Sequence, residues 1–480
     1  MTDKNSSEVA KATRWSFLTQ LTAKVIPPLT SMILARLLAP EVFGIITTIT
    51  MVTSFAETFS EAGFQKYIIS TKYTDDTELE HDEDIAFWTH LVISLFALTV
   101  VAVFRTPLCR LLGNPGVEMG LVVSCFPLVI SALTSIQTAA YYRTYSFVKP
   151  FWGQLISSLG NLIVTILLAL LGFDYWAIII GNIAASVIRG IVLTVGAPWR
   201  PHFYFHVKRA FEIVRFSFWI MAEGISVWLT SWFDAFIVGN RLNSHDLGIY
   251  KNSQSVVNGL LSIPQNSITN VLLVTLSRQK DSPEEFNKTF LDAQKTLTYI
   301  LLPMAAGICI FRKLAVRVAF GIGWEDAEIV AGVWALASVL RVLFVSINTA
   351  VYVAKGKPKI SLYLQLVDMA ILIPTCIYGI RYGFEKFVLI RGIARLDIII
   401  PSFIILSKMF GIRFRSIAGN AVKPLAGTAV MSAVGILLKG IDKNLFWDFG
   451  SILICIVVYF AFMFLFARED LKAILKLVKR

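Results

Sequence analysis

Eight ionisable residues of this chain sit where no loop accounts for them. Lys24, Glu57, Arg189, Glu223, Arg341, Asp368, Arg395 and Asp397 fall near the middle of long apolar stretches. A charged side chain facing lipid at that depth costs on the order of 2.5–3.5 kcal/mol, so these residues are expected to face an interior cavity and one another. Lys251 and Arg391 add positive charge toward the outer side, and Asp234 adds a carboxylate there. Arg391 and Arg395 are spaced to share one helix face, with Asp397 displaced from it. Guanidinium groups grip phosphate through paired N–H donors. The cations Lys24, Arg189, Lys251, Arg341, Arg391 and Arg395 are therefore candidates to hold an anionic head group. The carboxylates Glu57, Glu223, Asp234, Asp368 and Asp397 are candidates to couple to protons or sodium, or to pair with the cations. For any one residue, an ion pair that fixes helix packing explains the charge as well as transport does. For the set, a cavity with a slight positive excess, drawing residues from many helices, explains more.

Other chemistry finds no support. The chain has no GxxxxGK[ST] loop, which disfavours an ATP-driven pump, and neither HExxH nor GxSxG. His202 and His206 have the spacing of one helix face, but they lie beside Pro201 among aromatic residues in a loop, and no metal site is expected there. Cys109, Cys125, Cys309, Cys376 and Cys455 are scattered without a CxxC pair, so neither a disulfide framework nor a zinc ribbon is expected. The chain is read as no enzyme and as needing no cofactor. Trp219, Trp228 and Trp232 recur along one apolar stretch; stacking on sugar rings is one use for them, packing against neighbouring helices the better-supported one.

The elements that must position these residues are membrane helices. Of 480 residues, 56% are hydrophobic and 16% charged, with a mean hydropathy of +0.68. Soluble domains carry about a quarter charged residues. A helical span needs roughly 20 mostly apolar residues, and many segments here qualify. The pattern predicts an all-α integral membrane protein with about fourteen transmembrane helices. Lys and Arg are more than twice as frequent in the loops that share a side with the N-terminus as in those opposite, which predicts both termini in the cytoplasm. That distribution also explains the net charge of +12 without a nucleic-acid partner. One outer loop, with Arg312, Lys313 and Arg317, leans the wrong way. The doubled Pro27–Pro28 lies inside the first span and is a candidate hinge.

Residues 75–84, DDTELEHDED, are expected to form a solvated, mobile loop. The tail REDLKAILKLVKR reads as a basic amphipathic helix on an anionic leaflet. The turn LARLLAPEVFGII (34–46) repeats as VGNRLNSHDLGIY (238–250), with Gly44 matching Gly248. Both turns are predicted on the same side, which gives parallel repeats about a pseudo-two-fold along the membrane normal. The expected organisation is a cytoplasmic lead (1–11), a six-helix lobe (12–196), a cytoplasmic linker (197–212) and a second six-helix lobe (213–407). Two further helices with their preceding loop (408–467) and the tail (468–480) complete it.

Three stretches carry a resemblance to a known family: ARLLAPEVFGIITTITMVTSFAETFSEAGFQKYIIS (35–70), WFDAFIVGNRLNSHDLGIYKNSQSVVNGLLSIPQNSITNVLLVTLSR (232–278) and YVAKGKPKI (352–360). The chain resembles the polysaccharide-transporter branch of the multidrug/oligosaccharidyl-lipid/polysaccharide exporter superfamily, near the colanic-acid-exporter-like flippases. The resemblance implies a V-shaped pair of six-helix lobes with two peripheral helices in the inner membrane. It implies ion-coupled alternating access that carries an undecaprenyl-pyrophosphate-linked oligosaccharide to the outer leaflet for lipopolysaccharide, capsule or exopolysaccharide synthesis. Membrane lipids and polysaccharide polymerase machinery are the other implied partners. The rival expectation is a drug or metabolite exporter of the same superfamily, which the basic excess disfavours.

Overall fold

The computed structural model describes residues 3–471 apart from 62, 72, 74, 145, 358 and 442–444. Every regular element among them is helical. The chain divides into two compact units, Met1–Lys251 and Asn252–Arg480. The first contains α1 (Asp3–Leu34), α2 (Pro40–Glu61), α3 (Phe64–Ser70), α4 (Asp76–Val103), α5 (Arg105–Leu111), α6 (Glu118–Val123), α7 (Phe126–Arg143), α8 (Val148–Leu170), α9 (Tyr175–Thr194) and α10 (Val207–Arg241). It ends in the first turns of α11 (Ser244–Arg278). The second continues α11 and adds α12 (Pro283–Ile310), α13 (Arg312–Ala319), α14 (Ala327–Arg341), α15 (Asn348–Ala354), α16 (Lys359–Gly379), α17 (Phe384–Ala394), α18 (Ile399–Phe410), α19 (Phe414–Lys439) and α20 (Leu445–Phe466).

Among the described residues, ten helices are long and apolar enough to cross a membrane, or eleven with the bent pair Val207–Arg215 and Ile220–Arg241. The all-α membrane architecture therefore holds, while apolarity alone supports fewer spans than the fourteen expected. The remaining expected spans fall on α1, on α11 and on α17 with α18. The helix α11 has ample length at 35 residues, but Lys251, Asn252, Gln254, Asn258 and Gln265 dilute its apolar surface. The helix α1 is continuous through Pro27 and Pro28.

The repeated turns meet each other in the first unit. A Cβ on Gly44 would strike the Ser244 carbonyl, and one on Gly248 would strike the Pro40 carbonyl. The starts of α2 and α11 thus approach reciprocally at the two matched glycines, where no larger residue fits. Polar contacts fasten this crossing. His245 Nδ1 lies 2.8 Å from Glu41 Oε1, Asn114 donates to Thr48 Oγ1 (2.6 Å), and Ser244 Oγ donates to Asn114 Oδ1.

The acidic run is not a solvated loop. Asp75 caps α4 by accepting from the Thr77 N–H, and acidic residues suit the positive end of a helix. Asp82, Glu83 and Asp84 are then buried. Arg209 at the start of α10 grips Asp82 with two bonds, Nε to Oδ1 (2.8 Å) and Nη2 to Oδ2 (2.9 Å). The His202 N–H donates to Asp84 (2.9 Å), and Trp88 Nε1 donates back to the His202 carbonyl (2.9 Å). The expected linker 197–212 is therefore docked onto the acidic turns of α4. Around them Phe64, Ile85, Phe87, Ile136, Trp199 and Ile213 form an apolar core.

In the second unit, α19 and α20 pack on α12 and α13 through Tyr299, Phe311, Leu314, Met431, Tyr459 and Met463. The three cations that leaned the wrong way belong to the short helix α13 and its N-terminus, whose Leu314, Val316 and Ala319 are buried while Arg312 lies 4.0 Å from Glu328. Just past α20, Asp470 accepts from Lys295 (2.5 Å), Lys423 (2.9 Å) and Tyr299 (2.9 Å). Most of the expected amphipathic tail, 472–480, lies outside the described residues.

Candidate functional site

Of the eleven charged residues expected in a site, six belong to the first unit and five to the second. In the first unit, Lys24, Glu57, Arg189 and Glu223 are exposed although each stands within a long helix. Cavities explain this for three of them. A cavity of about 400 Å³ bounded by α1, α2, α8 and α9 has Arg189 on its wall, together with Pro27, Gln154, Asn161 and Asn182. A second, of about 280 Å³, has Glu57 on its wall and shares Ile46, Asn182, Ala185 and Ser186 with the first. A third, of about 490 Å³ between α2, α3, α4, α7 and α10, is lined by Glu61, Lys66, Glu223, Trp228 and Trp232. Arg189 lies close enough to Glu57 and Glu61 for its charge to act on both. Lys24 is exposed on α1 and lines none of the three.

Asp234 and Lys251 are brought together instead. The Asp234 carboxylate is buried, accepts from Tyr250 (2.8 Å) and lies 3.8 Å from Lys251 Nζ. Lys251 also donates to the Ser231 carbonyl (2.8 Å) and sits 4.7 Å from the Trp232 ring centroid. Trp228 is held against α2, donating to the Met51 carbonyl (3.2 Å) and Ser54 Oγ (3.1 Å). The side chain of Trp219 lies outside the described residues.

The second unit gathers its five into one cluster. Arg341, at the end of α14, pairs with the buried Asp368 of α16, Nη2 to Oδ2 at 2.6 Å and Nη1 to Oδ1 at 3.3 Å. Arg341 also donates to the Arg395 carbonyl (3.3 Å), and the Arg395 guanidinium lies 3.9 Å from the centroid of Trp334. Trp334 in turn donates to Asn258 Oδ1 (3.0 Å). Arg391 is buried, and Asp397 accepts from the Ile398 N–H (2.6 Å) while lying near Asp368, Arg341 and Arg391. Directly after Arg341 the helix widens into a π turn, Val342–Ser346, a distortion common at functional sites. Two bonds to one carboxylate make Arg341–Asp368 a fixed pair, whereas Lys24, Glu57, Arg189 and Glu223 of the first unit have exposed side chains.

Sequence reasoning centred on charge missed the neutral residues of the 400 Å³ cavity: Gln154, Ser157, Ser158 and Asn161 on α8, Asn182 and Ser186 on α9. Their signal is a helical period of polar residues, at 154, 157, 158 and 161, written through otherwise apolar sequence. Among the described residues, no group of His, Cys, Asp and Glu has the arrangement to hold a metal ion.

The sequence profile of a family described as polysaccharide biosynthesis proteins matches residues 33–329. The succinoglycan biosynthesis transport protein ExoT of Rhizobium meliloti is 27% identical over 338 residues, covering 69% of this chain and 67% of that protein. The lipopolysaccharide biosynthesis protein WzxC of Escherichia coli K12 is 20% identical over 423 residues, covering 85% of this chain and 84% of its own. Among solved structures, the lipid II flippase MurJ in an inward closed conformation superposes with a TM-score of 0.77 at 17% identity, covering 95% of this chain and 99% of MurJ. At that identity the likeness speaks for the fold alone.

Proposed function

We propose, because this chain belongs to the polysaccharide biosynthesis protein family, that it is a flippase for a lipid-linked oligosaccharide in surface polysaccharide synthesis. The observation that carries the reading is the family match itself, over a stretch that includes Glu57, Arg189 and most of the residues that line their cavities. The substrate we infer is an oligosaccharide on undecaprenyl pyrophosphate. Its prenyl chain stays in lipid, its glycan needs a polar path, and its pyrophosphate needs cations along that path.

Within the two six-helix lobes expected at 12–196 and 213–407, we assign roles to the charged residues by their exposure and pairing. Lys24 and Arg189, exposed, are assigned to the anionic head group. Glu57 and Glu223, exposed, are assigned to the coupling proton or sodium. The pairs Asp234–Lys251 and Arg341–Asp368, with Arg391, Arg395 and Asp397 around the second, are assigned to holding or switching helix positions, and Pro27–Pro28 to bending α1. The proposed setting is the cytoplasmic membrane with both termini in the cytoplasm, feeding a polysaccharide polymerase on the far side.

The test is deletion of the gene in its host, followed by lipid extraction. Deletion is expected to trap lipid-linked oligosaccharide in the cell and remove surface polysaccharide, with recovery on complementation. Intact polysaccharide together with a new drug sensitivity replaces this reading with that of a drug exporter.

A further inference from the structure

The cavity between α1, α2, α8 and α9 contains chemistry that the charged residues do not use. Its volume of about 400 Å³ falls within the roughly 300–1,000 Å³ typical of small-molecule sites. Gln154, Ser157 and Asn161 stand on its α8 wall, Asn182 and Ser186 on its α9 wall. Neutral polar groups inside apolar helices destabilise unless they are hydrogen-bonded. On the cavity wall these groups, the buried Ser157 apart, are exposed or half-buried, and the protein's own bonds use part of their capacity. Asn161 Nδ2 donates to Asn182 Oδ1 (2.8 Å), Gln154 Nε2 donates to Ser158 Oγ (3.0 Å), and Asn161 Oδ1 receives a long bond from Thr165 (3.5 Å). Among the described residues, the side-chain amide N–H groups of Asn182 and the side-chain oxygen Oε1 of Gln154 take no part in these bonds. Pro27 and Pro28 lack N–H groups, so the carbonyls of Ala23 and Lys24 lose their helical donors as well.

The residue types select a ligand class. Pyrophosphate calls for several charged donors, and a prenyl chain calls for apolar walls. This cavity has Arg189 as the charged residue on its wall among the described residues; the other polar groups are carboxamides and hydroxyls. Those groups both donate and accept, as sugar hydroxyls do. The packing is also built for a fixed shape: α8 and α9 approach so closely that a Cβ on Gly181 would strike Thr165 Oγ1.

We infer that this cavity is the subsite for neutral sugar residues of the substrate, with Gln154, Asn161 and Asn182 reading hydroxyl positions and so setting which glycan is carried. The inference rests on the flippase reading. Its test uses the full-length protein in lipid nanodiscs and two probes measured by calorimetry. One is the repeat-unit oligosaccharide released from the host's own surface polysaccharide; the other is inorganic pyrophosphate. Asn182→Leu and Gln154→Leu are each expected to weaken oligosaccharide binding about tenfold or more, as loss of a buried hydrogen bond to a ligand does, while pyrophosphate binding stays within about twofold of wild type. Gln154→Leu guards against a folding defect, because the hydrogen bond of its side chain is to its own helix. Liposome transport separates the two readings. If wild-type protein moves the lipid-linked oligosaccharide while both variants bind the free oligosaccharide unchanged, the subsite falls and the flippase stands. If wild-type protein moves none of it, the flippase reading falls and the subsite with it.

Discussion

Arg209 and Asp82 form the tightest charged contact that the acidic run makes, with the carboxylate buried and the guanidinium half-buried: the Asp82 side chain is 2% exposed and that of Arg209 31%. Taking away one partner leaves the other charge without compensation, which destabilises more than the pair stabilises. Arg209→Ala is expected to lower stability by about 2 kcal/mol, the loss of charge-assisted bonds to a buried carboxylate, read as a lower unfolding temperature in detergent. An Arg209→Ala, Asp82→Asn double variant should recover part of that loss. Asp470 offers a test by pH. Burial alone raises its carboxyl, but the hydrogen bonds from Lys295, Lys423 and Tyr299 outweigh it and bring it down to about 2. A carboxyl held below its ordinary value contributes stability above that value and loses it as pH falls through the lowered one. The grip of Asp470 on α12 and α19 should therefore weaken between about pH 4 and pH 2. The unfolding temperature of wild type should fall over that window by more than that of Asp470→Asn, and equal falls would refute the assignment. Sequence alone could not reach either contact. Arg209 and Asp82 are far apart in the chain, and a run of carboxylates looks solvated until a distant cation is folded against it.

At the scale of elements, the glycines decide where helices come closest. Gly44 and Gly248 were legible as a pair from the repeated turn, because both halves wrote the same residue at the same place. What the repeat did not reveal was that the copies pack on each other, each glycine under the other turn's backbone. A side chain there meets a carbonyl, not the far end of a flexible chain, so the helices must separate. Overpacking of this kind costs typically about 1–3 kcal/mol. Gly44→Val and Gly248→Val are each expected to destabilise the first unit by about that amount, while Gly419→Val, which has open space around it, should change little. Native-state hydrogen exchange at the start of α2 distinguishes the sites: faster exchange in the first two variants and not in the third is the expected result. The long helix α11 was legible for a similar reason, since its length survives even where its polar residues hide it from an apolarity count. The polar face of α8 was not, because serine and glutamine in an apolar helix leave no net charge to notice.

The whole molecule adds a constraint that no residue carries by itself: which loops share a side. Helices joined in order must alternate direction, so once one loop is placed every other follows. The described helices put Leu171, after α8, and Asp281, before α12, at exposed turns. With both termini inside, Leu171 lies outside and Asp281 inside. The Lys and Arg bias supports that arrangement, because positive loops are retained on the cytoplasmic side. A membrane-impermeant maleimide should then label Leu171→Cys in intact spheroplasts and Asp281→Cys only in inverted vesicles. The native cysteines interfere little, since Cys109, Cys125, Cys376 and Cys455 are buried and Cys309 is partly so. The reverse pattern would turn the protein over and send the proposed cargo inward. A flippase that supplies a surface polymer needs its substrate to arrive from the side of nucleotide-sugar synthesis, so the reverse labelling would reject the proposed direction of transport along with the orientation.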